Sequence, residues 1–365
     1  MATIADVAKL AGVSVGTVSH VLNGSVPVSR DLCARVHSAI HKLDYHPSEI
    51  ARSLTIRRTR MLGMVIPDIT NPFYPQLVRG AEDAALERHY SLIVFNTDDT
   101  GERERYVFSV LRRRRVDGIL LAVAPNAGDP VHIKKTVRAG IHIVCVDRGP
   151  LGLAMDSVLV DNVGGTFECV RHLLSLGHRR IAIITGPLTL QTAYERLEGY
   201  KKALVEKAIP VEADLMRDGN FRAEGGYRAA LELLSLGDRP SALFVSNAPM
   251  TFGALKALRE LGLQCPRDIA VAMFDEVPYP DLVEPQLTCV SQPIYNIGYT
   301  AAELLIRRIE SGNVREGPRV ELRLPTELKI RESTNSKPGN QTPSPSERVG
   351  ESSVLPESVH ISAHG

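Results

Sequence analysis

From residue 61 onward, apolar runs of strand length alternate with stretches of helical period, and this alternation limits the folds open to the chain. MLGMVIPD (61–68), SLIVFNT (91–97), VDGILLAV (116–123) and IHIVCVD (141–147) are continuous apolar runs. Such runs lie buried on both faces of a parallel sheet. Helices at 75–88 and 102–115 separate them. The plan then repeats with SVLVDN (157–162), RRIAIITG (179–186), a helix at 194–208 and a short strand near 215. A helix at 223–236, SALFVSN (241–247) and IAVAMFD (269–275) complete it. Two βαβ series in succession predict an α/β fold with two doubly wound parallel-sheet subdomains facing each other across a cleft. TCVSQP (288–293), a helix at 295–311 and a last strand VELRLPTELKI (320–330) are too little for a third domain and are expected to recross between the halves. The expected division is 61–156 with 291–319 for one subdomain, and 157–290 with 320–331 for the other. From Glu332, residues poor in core-forming side chains take over, so 332–365 reads as a disordered tail.

The first 60 residues have another texture. TIADVAKLA (3–11) is helical in period, with Thr3 placed to cap, Asp6 three residues on, and Ile4, Val7, Ala8 and Ala11 on one face. Gly12-Val13-Ser14-Val15-Gly16 then spells the G-x-S-x-G of a serine hydrolase. A nucleophile elbow needs a strand before its serine, and here a helix precedes it. Ser14 reads instead as the N-cap of a second helix whose inner face is Val18, Val21 and Leu22. A third helix, opened by Ser29, carries Leu32, Val36, Ile40 and Leu43. Residues 1–46 therefore predict a three-helix helix-turn-helix head, in which the second helix can enter a DNA major groove; a helical dimerisation module is the alternative. Residues 47–60 form a linker in which 49–54 could make a short helix, ordered only against a partner, followed by Arg57, Arg58 and Arg60. Residues 1–60 carry eight Lys and Arg against four acids, a net +4, which leaves −3 for the rest of a chain of net +1. A basic head on an acidic body points to an anionic partner at one end.

Five cysteines are scattered without a pairing or zinc spacing, no signal segment opens the chain, and no long uncharged apolar run occurs. The expectation is a cytoplasmic protein with no membrane partner. No phosphate-binding Gly-rich loop, dinucleotide fingerprint or H-E-x-x-H is present, so no catalytic residue, metal or cofactor is expected. The arginine run 112–115 reads as the solvated end of a helix, with phosphate binding as the alternative; Gly164-Gly165, between a strand and a helix, reads as a close-packing device, with anion binding as the alternative.

Ligand groups in such sheets come from loops at the carboxyl ends of the strands. Those loops hold Asn71, Phe73, Tyr74, Asp147, Arg148, Asp161, Asn162, Thr192, Arg196, Phe221, Asn247 and Asp275. Carboxylates, amides and guanidinium groups interleaved with rings suit a polyhydroxylated ligand, because charged partners bind hydroxyls strongly and rings cover apolar sugar faces.

Taken together, TIADVAKLAGVSVGTVSHVLNG, YHPSEIARSL, PDITNPFYPQLVRGAE, RLEGY and FDEVPYPDLVEPQLTCVSQP resemble the lactose-repressor (LacI/GalR) family of bacterial transcription regulators, near its purine and ribose repressors. The likeness runs over residues 2–331. It implies that Val15, Gly16 and His20 read bases while Thr3, Thr17, Ser19 and Asn23 lie near phosphates, with Ser14 opening that helix. It also implies a hinge helix at 48–54 in which Leu54, beside Ala51, wedges into the minor groove of a near-palindromic operator held by a homodimer. The body would resemble periplasmic sugar-binding proteins. Arg196, Phe221 and Asp275 match ligand positions of the purine repressor, whereas Leu190 stands where that repressor has an arginine recognising the purine. A sugar or sugar derivative is therefore the expected effector, a purine-type corepressor the alternative. Ala248-Pro249 departs from the family after Asn247, which leaves open a DNA-binding regulator without effector response. A transport solute-binding protein and an enzyme are the readings from other classes.

Overall fold

A computed structural model of the chain describes residues 2–23, 26–45, 58–125, 130–150, 152–312 and 318–335. Three helices form the head: α1 (Ile4–Ala11), α2 (Val15–Asn23) and α3 (Arg30–Lys42). Thr3 and Asp6 build a reciprocal capping box at the start of α1, as their spacing suggests. Ser14 Oγ accepts from Thr17 N at 3.0 Å and so caps α2; it is no nucleophile. Val7, Ala8, Ala11, Val18, Val36 and Ala39 bury the faces that meet. Gly12 closes α1 at φ 63°, the left-handed region that costs side-chain-bearing residues about 1–2 kcal/mol. Arg35 fixes the turn, its Nη2 donating to Ala11 O at 2.6 Å and to Gly12 O at 3.1 Å.

The body begins with β1 (Met61–Ile66), α4 (Phe73–Glu87), β2 (Ser91–Asn96), α5 (Gly101–Arg114), β3 (Gly118–Leu121), α6 (Val131–Arg138), β4 (His142–Val146) and β5 (Asp156–Val160). It continues with α7 (Asn162–Ser175), β6 (Ile181–Thr185), α8 (Gln191–Glu206), β7 (Met216–Asp218), α9 (Ala223–Leu234), β8 (Ala242–Val245), α10 (Ala248–Glu260) and β9 (Ala270–Phe274). Last come β10 (Thr288–Ser291), α11 (Ile294–Ser311), β11 (Glu321–Leu324) and β12 (Glu327–Lys329). Among the described residues the strands form two six-stranded sheets, ordered β11-β5-β4-β3-β1-β2 and β12-β10-β9-β8-β6-β7. All neighbours run parallel except β12, which is antiparallel to β10.

Alternation along β1 sends Leu62, Met64 and Ile66 to the face covered by α4 and α11, and Val65 to the face covered by α5 and α6. Helices α4 and α11 approach closely because Gly80 and Gly298 face the opposing backbone; a Cβ on either would meet a carbonyl oxygen at 2.0 Å.

Two boundaries differ from those read in the sequence. The strand at 156–160 and the first half of the last strand, 321–324, pair in the first sheet, not the second. Apolar period identifies a buried strand but not its sheet. Pro325 and Thr326 split the expected 320–330 strand, and only β12 reaches the second sheet. The chain thus crosses between subdomains three times, at residue 161, at 292–293 and at 325–326. The expected tail also begins too early, since Glu332–Thr334 form a turn in which Ser333 and Thr334 are fully buried.

Candidate functional site

Between the carboxyl ends of the two sheets lies a cavity of about 210 Å³. That is below the roughly 300–1,000 Å³ of sites for drug-sized ligands. Asn71, Phe73, Tyr74, Asp147, Arg148, Thr192, Arg196, Phe221, Asn247 and Asp275, all expected from the sequence, line it. Asp161 does not: it is exposed, and its carboxylate caps α7 by accepting from Gly164 N at 2.8 Å. Leu190 is also outside the lining, buried at the start of α8.

Each half contributes a buried cation beside carboxylates. In the first, Arg148 pairs with Asp99, and the neighbouring Asp147 accepts from the Tyr74 hydroxyl at 3.0 Å. In the second, Arg196 donates from Nε to Asn162 Oδ1 at 2.9 Å and from Nη1 to Ser246 O at 2.5 Å. Its guanidinium sits 3.7 Å from the centroid of the Phe274 ring. Asp275 accepts from Gln292 Nε2 beside it.

Burial governs the protonation of these groups. It raises Asp147 and Asp275 above the usual carboxylate range, with Arg148 and Arg196 lowering the first and Arg196 the second only in part. Burial likewise lowers Arg196, against the pull of Asp275 and Asp147. It also opposes the charge of Arg148, but there Tyr74, Asp99 and Asp147 outweigh it and the net shift is upward. Buried ionisable groups with shifted protonation in a concave site mark it as a candidate ligand site.

Two buried polar atoms at this cavity have no hydrogen-bond partner among the described residues, Arg148 Nε and Gln292 Oε1. Their side chains are nine-tenths or more buried. Backbone strain gathers here too: Asp147, Phe221 and Asp275 adopt φ of 63°, 54° and 74°. Non-glycine residues in that region cost roughly 1–3 kcal/mol each and cluster at functional sites.

Rings close the remaining walls. Phe73 and Tyr74 meet edge to face at 5.1 Å, and the Phe221 ring lies over Gly186, where a Cβ would approach it to 2.4 Å. Asn247 lines the cavity with its amide committed: Oδ1 accepts from Met250 N at 3.0 Å and Nδ2 donates to Phe221 O at 3.1 Å. With Pro249 in the first turn of α10, Ala248-Pro249 forms a regular helix start next to an intact cavity.

Sequence reasoning missed Asp68, Asp99, Arg222 and Gln292. Arg222, from the second subdomain, pairs with Asp68 and lies 3.4 Å from Asp99, both from the first, so this network spans the mouth of the cleft. Asp68, Asp99 and Gln292 closely follow strands, so the rule that found the others applies to them as well.

In the head, Val15, Gly16 and His20 are exposed on α2, with Thr17 and Ser19 half-buried beside them. Thr3 is exposed, with its hydroxyl on Asp6 at 2.7 Å. Asn23 closes α2. The hinge residues Ala51 and Leu54 lie outside the described residues. No described helix is long and apolar enough to cross a membrane.

Comparison with known proteins agrees with this geometry. Residues 3–48 match the model of bacterial regulatory proteins, lacI family, and residues 170–334 that of a periplasmic binding protein-like domain. The chain is 39% identical over 309 residues to the ribose operon repressor of Escherichia coli (strain K12), covering 85% of this chain and 93% of that one. A LacI family transcriptional regulator from Enterococcus faecium, solved with bound ribose, is 31% identical, with a TM-score of 0.66 over 75% of this chain and 98% of its own. The lac repressor dimer bound to operator and the anti-inducer ONPF is 28% identical, with a TM-score of 0.80 over 92% and 99%. With its helix-turn-helix head and its cleft between two parallel sheets, the chain belongs to the lacI family of bacterial regulatory proteins, DNA-binding transcriptional repressors with an effector-binding domain.

Proposed function

We propose that the cleft takes a small neutral sugar, a pentose of the ribose kind, and that this sugar controls the operator affinity of a homodimer. The observation that carries this reading is the pair of unpartnered buried atoms, Arg148 Nε and Gln292 Oε1, set among carboxylates and rings. A ring of hydroxyls supplies both donors and acceptors to such a set, and the rings of Phe73 and Phe221 suit its apolar faces. The cavity volume of about 210 Å³ favours a monosaccharide over anything larger. A sugar phosphate is disfavoured, because Asp68, Asp99, Asp147 and Asp275 outnumber Arg148, Arg196 and Arg222 around the cavity. Two relatives support the pentose: one is named a ribose operon repressor and another was solved with ribose bound.

On DNA, α2 presents Val15, Gly16 and His20 to base edges, with Thr3, Thr17, Ser19 and Asn23 toward phosphates. Val15 offers apolar contact only, such as with a thymine methyl, and Gly16 offers no side chain at all. The segment around Ala51 and Leu54 acts as the minor-groove hinge on a near-palindromic site.

Titration calorimetry of the purified chain against D-ribose, other pentoses, hexoses, ribose 5-phosphate and purines tests the reading. A free pentose should bind with one site per chain. Asp275→Asn should weaken it roughly 10–150-fold, the effect of losing a charged hydrogen bond of about 1.5–3 kcal/mol. Tighter binding of the phosphate or a purine than of any free sugar refutes it.

A further inference from the structure

The end of the first subdomain opposite the cleft is the amino end of its parallel strands, and the chain enters the body there. Thr59 N and Arg60 N both donate to the Asp117 carboxylate at 2.9 Å, and Thr59 Oγ1 donates to Arg115 O at 2.9 Å. Arg58 Nη2 reaches Ile309 O near the end of α11 at 3.1 Å. These bonds bring Arg58 and Arg60 onto the same face as Arg113 and Arg114, which end α5, and Arg115 just past it, and all five residues are exposed.

Two carboxylates, Asp117 and Glu310, lie at this face against its five guanidinium groups, which leaves it basic. Asp117 is committed to the two amides and to the Thr59 hydroxyl, and Glu310 pairs with Arg88 at 3.9 Å. Among the described residues, Arg60, Arg113, Arg114 and Arg115 make no ion pair. A favourable helix dipole accounts for cations in the last turn of α5. It does not account for Arg115, which lies past the helix at φ 56°, or for Arg58 and Arg60 on another segment.

We infer that this basic face is a second DNA-binding surface, which takes the phosphate backbone flanking the site read by the head. The tether sets the distance. Twelve residues separate Tyr45, the last described residue of the head, from Arg58, which bonds to the body at Ile309 O. At about 3.3–3.6 Å per residue, that span is at most roughly 45 Å, a little over one turn of duplex. A tether of that length lets the face reach the duplex whose major groove the head reads. Its guanidinium groups displace counterions and add affinity without adding sequence preference.

Salt dependence of binding to a labelled 40-base-pair duplex of arbitrary sequence, between 50 and 200 mM, reads these phosphate interactions directly, using the full chain. The variant Arg113→Gln/Arg114→Gln/Arg115→Gln should show a slope of log affinity against log salt that is shallower by about 0.9 for each phosphate it no longer neutralises, with binding of D-ribose or whichever sugar the panel identifies unchanged. The corresponding triple lysine variant should keep the parent slope, because charge and not fork geometry holds the phosphates here. Lys201→Gln/Lys202→Gln/Lys207→Gln, on α8 and just past its end, removes equal charge from the other subdomain and should leave the slope alone. An unchanged slope in the arginine-to-glutamine variant, or an equal fall in the α8 variant, overturns the inference.

Discussion

Deleting residues 332–365 should destabilise the second subdomain, whereas deleting only 336–365 should not. The difference lies in one short turn, Glu332–Thr334. Ser333 Oγ donates to Val271 O at 2.6 Å and accepts from Thr288 N at 2.8 Å, and Ser333 N donates to Gln286 O at 2.9 Å. Thr334 Oγ1 shares hydrogen bonds with Thr288 Oγ1 at 2.8 Å and His172 Nε2 at 3.0 Å. Removing the turn orphans the Thr288 amide and the Val271 carbonyl, at about 1–3 kcal/mol each when no water replaces the partner. The remaining bonds contribute roughly 0.5–1.5 kcal/mol apiece, less what entering water recovers. The expected loss is about 2–6 kcal/mol, a large share of the ~5–15 kcal/mol that holds a typical domain.

Thermal and urea unfolding of the two truncations, compared with the full chain, measure this difference. At ~2–4 °C per kcal/mol for a body of this size, the shorter chain should melt roughly 5–20 °C lower. Ser333→Ala, which removes the hydroxyl serving both Val271 and Thr288, should reproduce part of the loss. Since Asp275 and Gln292 follow the two strands that this turn clamps, β9 and β10, sugar affinity should fall with stability. Equal midpoints for the two truncations refute the reasoning and return residues 332–335 to a tail without structural role.

Two further substitutions probe the cleft and the head. Gly186→Ala places a methyl group where the Phe221 ring lies 2.4 Å away, so sugar affinity should drop at least tenfold with DNA affinity of the sugar-free protein retained; calorimetry and fluorescence anisotropy separate the two. Gly12→Ala forces a side chain into φ 63° against Arg35 Nη2 at 2.7 Å. It should cost the head about 1–3 kcal/mol, read as reduced hydrogen-exchange protection in α1–α3 and weaker DNA binding, with sugar binding untouched.

Much of this architecture is legible in the sequence because two physical rules act locally. Period gives the element type, as in β1 and α4, and parallel sheets expose ligand groups at their carboxyl ends, which groups Arg148, Arg196 and Asp275 from the order of strands and helices alone. Asp161 obeys the same placement rule yet caps a helix. A carboxylate one residue before a helix has two uses, and only the direction of its side chain decides between them. Arg222 carries no local signal, because its meaning comes from Asp68 and Asp99, more than 120 residues earlier and across the cleft. The assignment of β5 and β11 to the first sheet is illegible for a related reason: a buried strand reads alike in either sheet, and Pro325 marks a break without saying where the chain goes next.

The three crossings explain how a cleft and a DNA-binding head can share one body. Each is short, so the halves can turn about them while both sheets stay intact, as hinge motions require. The middle crossing contains Gln292, which bonds Asp275 on one side and is followed by α11 on the other. Helix α11 spans 18 residues, about 27 Å at 1.5 Å per residue. It packs along the first subdomain and presents Ile309 O to Arg58 at the entry of the linker. A ligand that engages the free Oε1 of Gln292 therefore acts on the crossing from which this helix starts, and the other end of the helix holds the segment leading to the head. Differential contact at one end and a fixed attachment at the other are what the proposed coupling of ~1–3 kcal/mol between two sites needs.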